Sequence, residues 1–213
     1  MIHIQPFTFN PFSENTYILY EETGECAIID PGVYEPFEEK EIVDFIQSKK
    51  LIPKLLLNTH CHIDHVLGNS FVSGKFKLAL AIPELELPVL KAVNSYKNEW
   101  GFFKYKECTP QIFIKEGDVF HLGKNNFKTI FTPGHSPGHV AFYLENQKIC
   151  IGGDVLFRES IGRTDLPGGD YDTLISSIKN KLFPLGDDVK VFPGHGPETT
   201  IGYEKKFNPF VKE

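Results

Sequence analysis

Thr59-His60-Cys61-His62-Ile63-Asp64-His65 places four groups able to bind a metal, His60, His62, Asp64 and His65, within six consecutive positions. Neutral imidazole is the commonest side-chain metal ligand, and a carboxylate adds negative charge for a divalent ion. One histidine on a polar loop is ordinarily just solvated; three with an aspartate in a single heptad point to a metal. The segment follows Lys54-Leu55-Leu56-Leu57-Asn58, an apolar run that reads as a buried strand. The ligands would therefore lie just beyond a strand's carboxyl end, where open α/β structures place their sites.

Three later segments repeat this arrangement. Phe127–Phe131 runs into Thr132-Pro133-Gly134-His135, Lys148–Ile151 into Gly152-Gly153-Asp154, and Val189–Phe192 into Pro193-Gly194-His195. Each strand candidate stops at Gly or Pro and a ligand-type residue follows at once. Glycine removes the Cβ that would crowd a site, and proline stiffens the turn that aims a side chain. Converging strand ends would gather His60, His62, His65, His135 and His195 with Asp64 and Asp154. One tetrahedral ion with an open position takes three protein ligands, so this set suits two ions that share a carboxylate.

The chain has 213 residues, 41% of them hydrophobic, enough for one sizeable core and a single domain over 1–213. Its net charge of −6, with no basic stripe, disfavours nucleic acid as a partner. No stretch is long and apolar enough for a membrane span, and Met1-Ile2-His3-Ile4-Gln5-Pro6 lacks the features of a signal peptide. Cys26, Cys61, Cys108 and Cys150 are irregularly spaced, as expected of reduced thiols in a cytoplasmic protein. Oligomeric state is not encoded in any recognisable pattern.

Asn15–Tyr20 and Cys26–Asp30 are expected to pair as strands around a turn at Thr23-Gly24. Ile42, Phe45 and Ile46 predict a helix from Glu38 to about Lys49, and Leu174, Ile175, Ile178 and Leu182 predict another from Tyr171, capped by Asp170. Further strands are expected at Leu78–Ile82, Asp118–Leu122 and Val140–Leu144. Two β-rich halves with helices between and around them suggest two sheets covered by outer helices. Residues 84–108, ending in an aromatic cluster around Trp100, Phe102, Phe103 and Tyr105, fit either a helix packed on the core or a lid over the substrate mouth.

The heptad, with His135, Asp154 and His195 at the later strand ends, resembles the metallo-β-lactamase superfamily over nearly the whole chain. Within it the chain looks most like the short, single-domain hydroxyacylglutathione hydrolases (glyoxalase II). The segments Gly152–Phe157, Gly162–Asp170 and Pro193–Gly202 carry that likeness. The resemblance implies an α/β fold, the αββα sandwich of two mixed β-sheets flanked by helices. True β-lactamases commonly place Cys where Asp154 stands here.

Carried over residue by residue, the resemblance implies that His60, His62 and His135 hold one metal and Asp64, His65 and His195 a second, with Asp154 bridging. Asp64 and Asp154 are the implied catalytic carboxylates. The implied cofactors are two divalent ions, zinc first, with iron or manganese accepted by the same donors. A hydroxide held between the ions would attack the carbonyl of a small-molecule thioester, whose thiolate, of pKa about 8.5, leaves without a general acid. His139 and Asp30 are expected to support the site, Cys61 to be a packed thiol, Arg163 and Asp165 either to contact substrate or to form a salt bridge that fixes their loop, and Tyr171 to contact substrate. Lys205 and Lys206 are further candidates for an anionic thiol carrier. Full-length glutathione-thioester hydrolases take glutathione contacts from a helical C-terminal domain, which the short segment after His195 does not supply. Two alternatives stay open: a persulfide dioxygenase with one iron on His60, His135 and Asp154, and a non-catalytic metal-binding protein.

Overall fold

The computed structural model describes residues 1–212. A first mixed sheet consists of β1 (His3–Phe9), β2 (Glu14–Tyr20), β3 (Glu25–Ile29), β4 (Ile52–Leu57), β5 (Leu80–Pro83) and β6 (Ile112–Ile114), adjacent in that order. Its first three strands are antiparallel and the rest join in parallel. The second sheet is built from β7 (Val119–Leu122), β8 (Asn125–Phe131), β9 (Val140–Leu144), β10 (Ile149–Gly153), β13 (Lys190–Pro193) and β14 (Thr199–Thr200), and only its β10–β13 pair is parallel. A hairpin, β11 (Leu156–Phe157) and β12 (Ser160–Ile161), stands between β10 and β13 in sequence. The helices are α1 (Pro36–Ser48), α2 (Ile63–Val66), α3 (Asn69–Phe76), α4 (Leu87–Tyr96), α5 (Tyr171–Ser177) and α6 (Ile201–Phe207).

The period-two alternation of strands explains the layering. Along β2, Ile18 faces outward into a cluster with Ile42 and Ile46 of α1, Val72 of α3, and Leu90 and Val93 of α4. Its neighbours Tyr17 and Leu19 face inward and meet Phe127, Val140 and Phe142 of the second sheet. On that sheet Ala141 and Cys150 face outward again, onto Leu174, Ile178 and Ile201. Three apolar layers thus separate four structural ones: the protein is an αββα sandwich of two mixed sheets.

The β2–β3 pair, α1, and the start of α5 capped by the Asp170 carboxylate on the Thr173 N–H at 2.8 Å match the expectations, but α5 ends at Ser177 and the expected Ile178–Leu182 stretch continues as a wider π-helical turn. The strand expected at Leu78 begins two residues later. Lys77 ends α3 in a left-handed conformation, and the Leu78 N–H bonds back to the Ser73 carbonyl, so the helix cap consumes the start of the run. Residues 84–108 open with a tight turn and α4, whose Leu90 and Val93 are buried in the core. No helix of the described residues is long and apolar enough to cross a membrane.

Candidate metal centre

The ligand-type residues lie where strands of both sheets give out onto one edge of the sandwich. His60 and His62 follow β4, Asp64 and His65 belong to the short α2 behind them, His135 follows β8, Asp154 follows β10, and His195 follows β13. Donor atoms of His60, His62 and His135 all fall within 4.8 Å of one another, as do those of Asp64, His65 and His195. Asp154 stands between the two triads, one oxygen 3.4 Å from His65 Nε2 and the other 3.5 Å from His135 Nε2 and 3.4 Å from His195 Nε2.

Several donors are oriented from behind. His135 Nδ1 donates to the Arg163 carbonyl at 2.7 Å and His195 Nδ1 to the Phe12 carbonyl at 3.1 Å, which leaves each Nε2 with its lone pair facing the centre. His62 Nδ1 and His135 Nε2 approach to 2.8 Å. A proton on one ring nitrogen satisfies the other in a metal-free hydrogen bond, and a cation placed between them would take both lone pairs instead. His60 Nε2, His65 Nε2 and Asp154 Oδ1 are buried without any hydrogen-bond partner, a costly state for polar atoms that a bound ion would relieve. The donor set therefore fits two divalent ions. A third grouping, Asp30 with His60 and His65, is closed off: Asp30 accepts the Thr59 N–H at 2.7 Å and hydroxyl at 2.6 Å, and the Asn58 side chain at 3.2 Å.

The two triads differ in charge. Burial, reinforced by the neighbouring imidazoles, holds His60 well below the usual range and His62 down to about 3. His135 is lowered chiefly by burial as well, against the pull of Asp154. These three are neutral and ready to ligate at pH 7. In the other triad burial opposes protonation of His65, yet Asp154 and Asp64 raise it well above its ordinary value. His195 is raised in the same way, by its bond to Asp64 and by Asp154. Burial alone would raise Asp64 and Asp154, but the imidazolium of His65 pulls both below the usual carboxylate range.

Glycines let the parts approach. A Cβ on Gly194 would sit 2.0 Å from Asp154 Oδ1 and 2.7 Å from His65 Cε1, and one on Gly162 would sit 1.9 Å from the Asp154 carbonyl oxygen. His139 is buried with Nδ1 on the Thr132 hydroxyl at 3.0 Å and Nε2 accepting the Asp154 N–H at 3.0 Å, so it holds the Asp154 backbone from behind. Cys61 packs in the outer apolar cluster, and its N–H goes to Glu86. Glu86, buried at the head of α4, also accepts from the Ser136 hydroxyl and the Gly138 N–H, tying the His60 loop to the His135 loop.

The centre opens into a cavity of about 850 Å³. Pro88, Val89, Ala92, Ser95 and Tyr96 of α4 form one wall, and Phe157, Ile161, Leu166 and Pro167 another. The segment 84–108 thus packs one face on the core and turns another to the cavity. Arg163 lines the cavity, whereas Asp165 and Tyr171 do not; Asp165 instead binds the Arg163 guanidinium through two 2.7 Å bonds. Lys205 is paired with Asp187 and Lys206 sits over the Phe207 ring, neither on the cavity wall. Sequence reasoning missed Glu86 and Phe12. A glutamate inside Ile82-Pro83-Glu84-Leu85-Glu86-Leu87 is a faint sign of a buried charge, and nothing in the sequence connects Phe12 to His195.

A family model for the metallo-beta-lactamase superfamily matches residues 9–195. The chain is 38% identical to the hydroxyacylglutathione hydrolase GloC of Haemophilus influenzae, over 99% of this chain and 97% of that protein. Among solved structures it is similar to the BLEG-1 B3 metallo-beta-lactamase, with a TM-score of 0.88 and 33% identity over 99% of this chain and 100% of that one. It is also similar to TTHA1623 in a di-iron-bound form, with a TM-score of 0.86 and 36% identity over 97% of this chain and 100% of that one.

Proposed function

The chain belongs to the metallo-beta-lactamase superfamily, and on that footing we propose that it is a binuclear metal-dependent thioester hydrolase of the glyoxalase II type. One observation carries the reading: the Asp154 carboxylate spans two donor triads, His60/His62/His135 and Asp64/His65/His195, at the floor of an open cavity. Two divalent ions held there, zinc in the first instance, would supply a water with its pKa lowered to about 7 and a Lewis acid for the carbonyl oxygen.

The chain's own residues set the stage for that chemistry. His60, His62 and His135 present neutral imidazoles, and Asp154 contributes the shared charge. His139, Thr59 and Asp30 hold the ligand loops in register behind them. Apart from the ligands, Tyr96 is the ionisable side chain of the cavity wall that could give up a proton, since the Arg163 guanidinium keeps its own, and burial pushes the Tyr96 phenol up to about 12. A leaving group therefore departs without a well-matched acid. A thiolate, with a pKa of about 8.5, needs none at neutral pH, whereas an amine does. That contrast favours a thioester over a β-lactam. A small-molecule substrate, rather than nucleic acid or membrane, suits the cavity's size. The four cysteines are unpaired, which supports a reducing, cytoplasmic setting.

The test is thiol release from S-lactoylglutathione by zinc-loaded and iron-loaded protein, with the β-lactam nitrocefin as contrast and Asp154→Ala as blank. Thioester turnover that Asp154→Ala abolishes supports the reading. Turnover of nitrocefin alone, or equal turnover by the variant, defeats it.

A further inference from the structure

We propose that the substrate of this centre is an uncharged, carbon-rich thioester rather than one built on an anionic peptide thiol; the inference rests on the hydrolase reading above and concerns its substrate class. Both long walls of the cavity are mainly apolar: α4 contributes Val89 and Ala92 beside Ser95 and Tyr96, and the facing side contributes Phe157 and Leu166 beside Ser160. Its mouth is aromatic. Phe12 and Trp100 meet with ring centroids 5.2 Å apart, yet remain 36% and 44% exposed. Large aromatic rings left in water around a concave site are surface that a ligand of like character would cover.

Charge gives the second, independent line. Glutathione carries two carboxylates, and each needs a cation or several donors once it leaves water. Among the described residues that line the cavity, Arg163 is the one side chain with a permanent positive charge. Its guanidinium is paired through Nε and Nη2 with the Asp165 carboxylate, so the ion pair presents no net charge. Because both walls are mainly apolar, the acyl arm and the thiol arm are each accommodated best without charge. Hydrolysis then balances simply: water adds its oxygen to the acyl carbon, the C–S bond breaks, and carboxylate, free thiol and one proton leave.

Trp100 is the chain's only tryptophan and stands at the cavity mouth, so its fluorescence reports occupancy without a label. Zinc-loaded protein would be titrated with two inert thioethers, S-hexyl-N-acetylcysteamine and S-hexylglutathione. In parallel, kcat/KM would be measured for the hexanoyl and lactoyl thioesters of the same two thiols. The neutral thioether is expected to saturate the signal at about tenfold lower concentration, and hexanoyl-N-acetylcysteamine to be the best substrate by about tenfold or more. Ala92→Lys, on an exposed position of α4, places a cation on the wall and should shift both ratios toward glutathione by several-fold. Tighter binding of the glutathione thioether, or a higher kcat/KM for either glutathione thioester than for its neutral counterpart, overturns this inference while leaving the hydrolase reading intact. Failure to hydrolyse any of the four thioesters overturns the hydrolase reading, and the inference with it.

Discussion

Glu86 Oε2 accepts the backbone N–H of Cys61 at 2.9 Å from within the core, between His60 and His62. Its other oxygen accepts the Ser136 hydroxyl and the Gly138 N–H, both at 2.6 Å. One carboxylate therefore fixes the distance between the loop carrying His60 and His62 and the loop carrying His135.

Replacing it loosens that spacing without touching a metal. Glu86→Gln keeps the shape but turns an amide donor toward at least one of three donors, and Glu86→Ala strands all three. Both variants should lose metal affinity by roughly 10- to 100-fold, with alanine the worse. Competition with a chromophoric chelator measures this directly. Affinity within twofold of the parent in both variants would mean that Glu86 does not position the ligands.

Gly194 is required for room. Gly194→Ala drives a methyl into Asp154 Oδ1 and the His65 ring, so the bridge must shift. The expected result is substoichiometric metal with a folded circular-dichroism spectrum, and kcat reduced by about 100-fold, as misplacement near 1 Å can cost. Two metals per chain with unchanged kcat would contradict the close approach.

The triads should load at different pH. His65 and His195 are raised in the metal-free protein, so an ion entering that triad must displace protons; His60, His62 and His135 are lowered and carry none at neutral pH. As pH falls, His65 and His195 regain their protons at a higher pH than a free histidine would, so the second ion is lost first. Calorimetry at pH 6 and pH 8 should show one tight site at the lower pH, two at the higher, and proton release on filling the second. Equal pH dependence of both steps would rule this out.

All four cysteines are buried. Burial pushes the Cys26 and Cys150 thiols up to about 12 and raises Cys61 and Cys108 as well. The thiolate is the reactive form, so at pH 8 the native protein should leave Ellman's reagent nearly unreacted, and four thiols should titrate after unfolding. Rapid labelling of any native thiol would show that the packing opens.

The strand ends behind His60, His135, Asp154 and His195 are legible in sequence because an apolar run halted by Gly or Pro leaves a local signature. The layering is legible from the order of strands and helices, whereas the faces taken by Ile18 and Leu19 are not, because both are apolar and both are buried. What else escapes is set by distance along the chain. Phe12 meets His195 and Glu86 meets Gly138 through contacts that no short-range pattern announces. The α3 helix escapes for another reason: Asn69-Ser70-Phe71-Val72-Ser73-Gly74 has weak helical propensity, and tertiary packing of Val72 overrides it.

Each triad draws two donors from the end of the first sheet and one from the second. An ion joining His62 to His135 ties residues 73 positions apart. On a chain-entropy account, closing a loop of that size is worth about 4 kcal/mol, the scale of a disulfide. In a protein whose cysteines all stay unpaired, the ions would thus serve as removable staples across the sandwich, and metal supply would govern how long the folded chain persists as well as how fast it works.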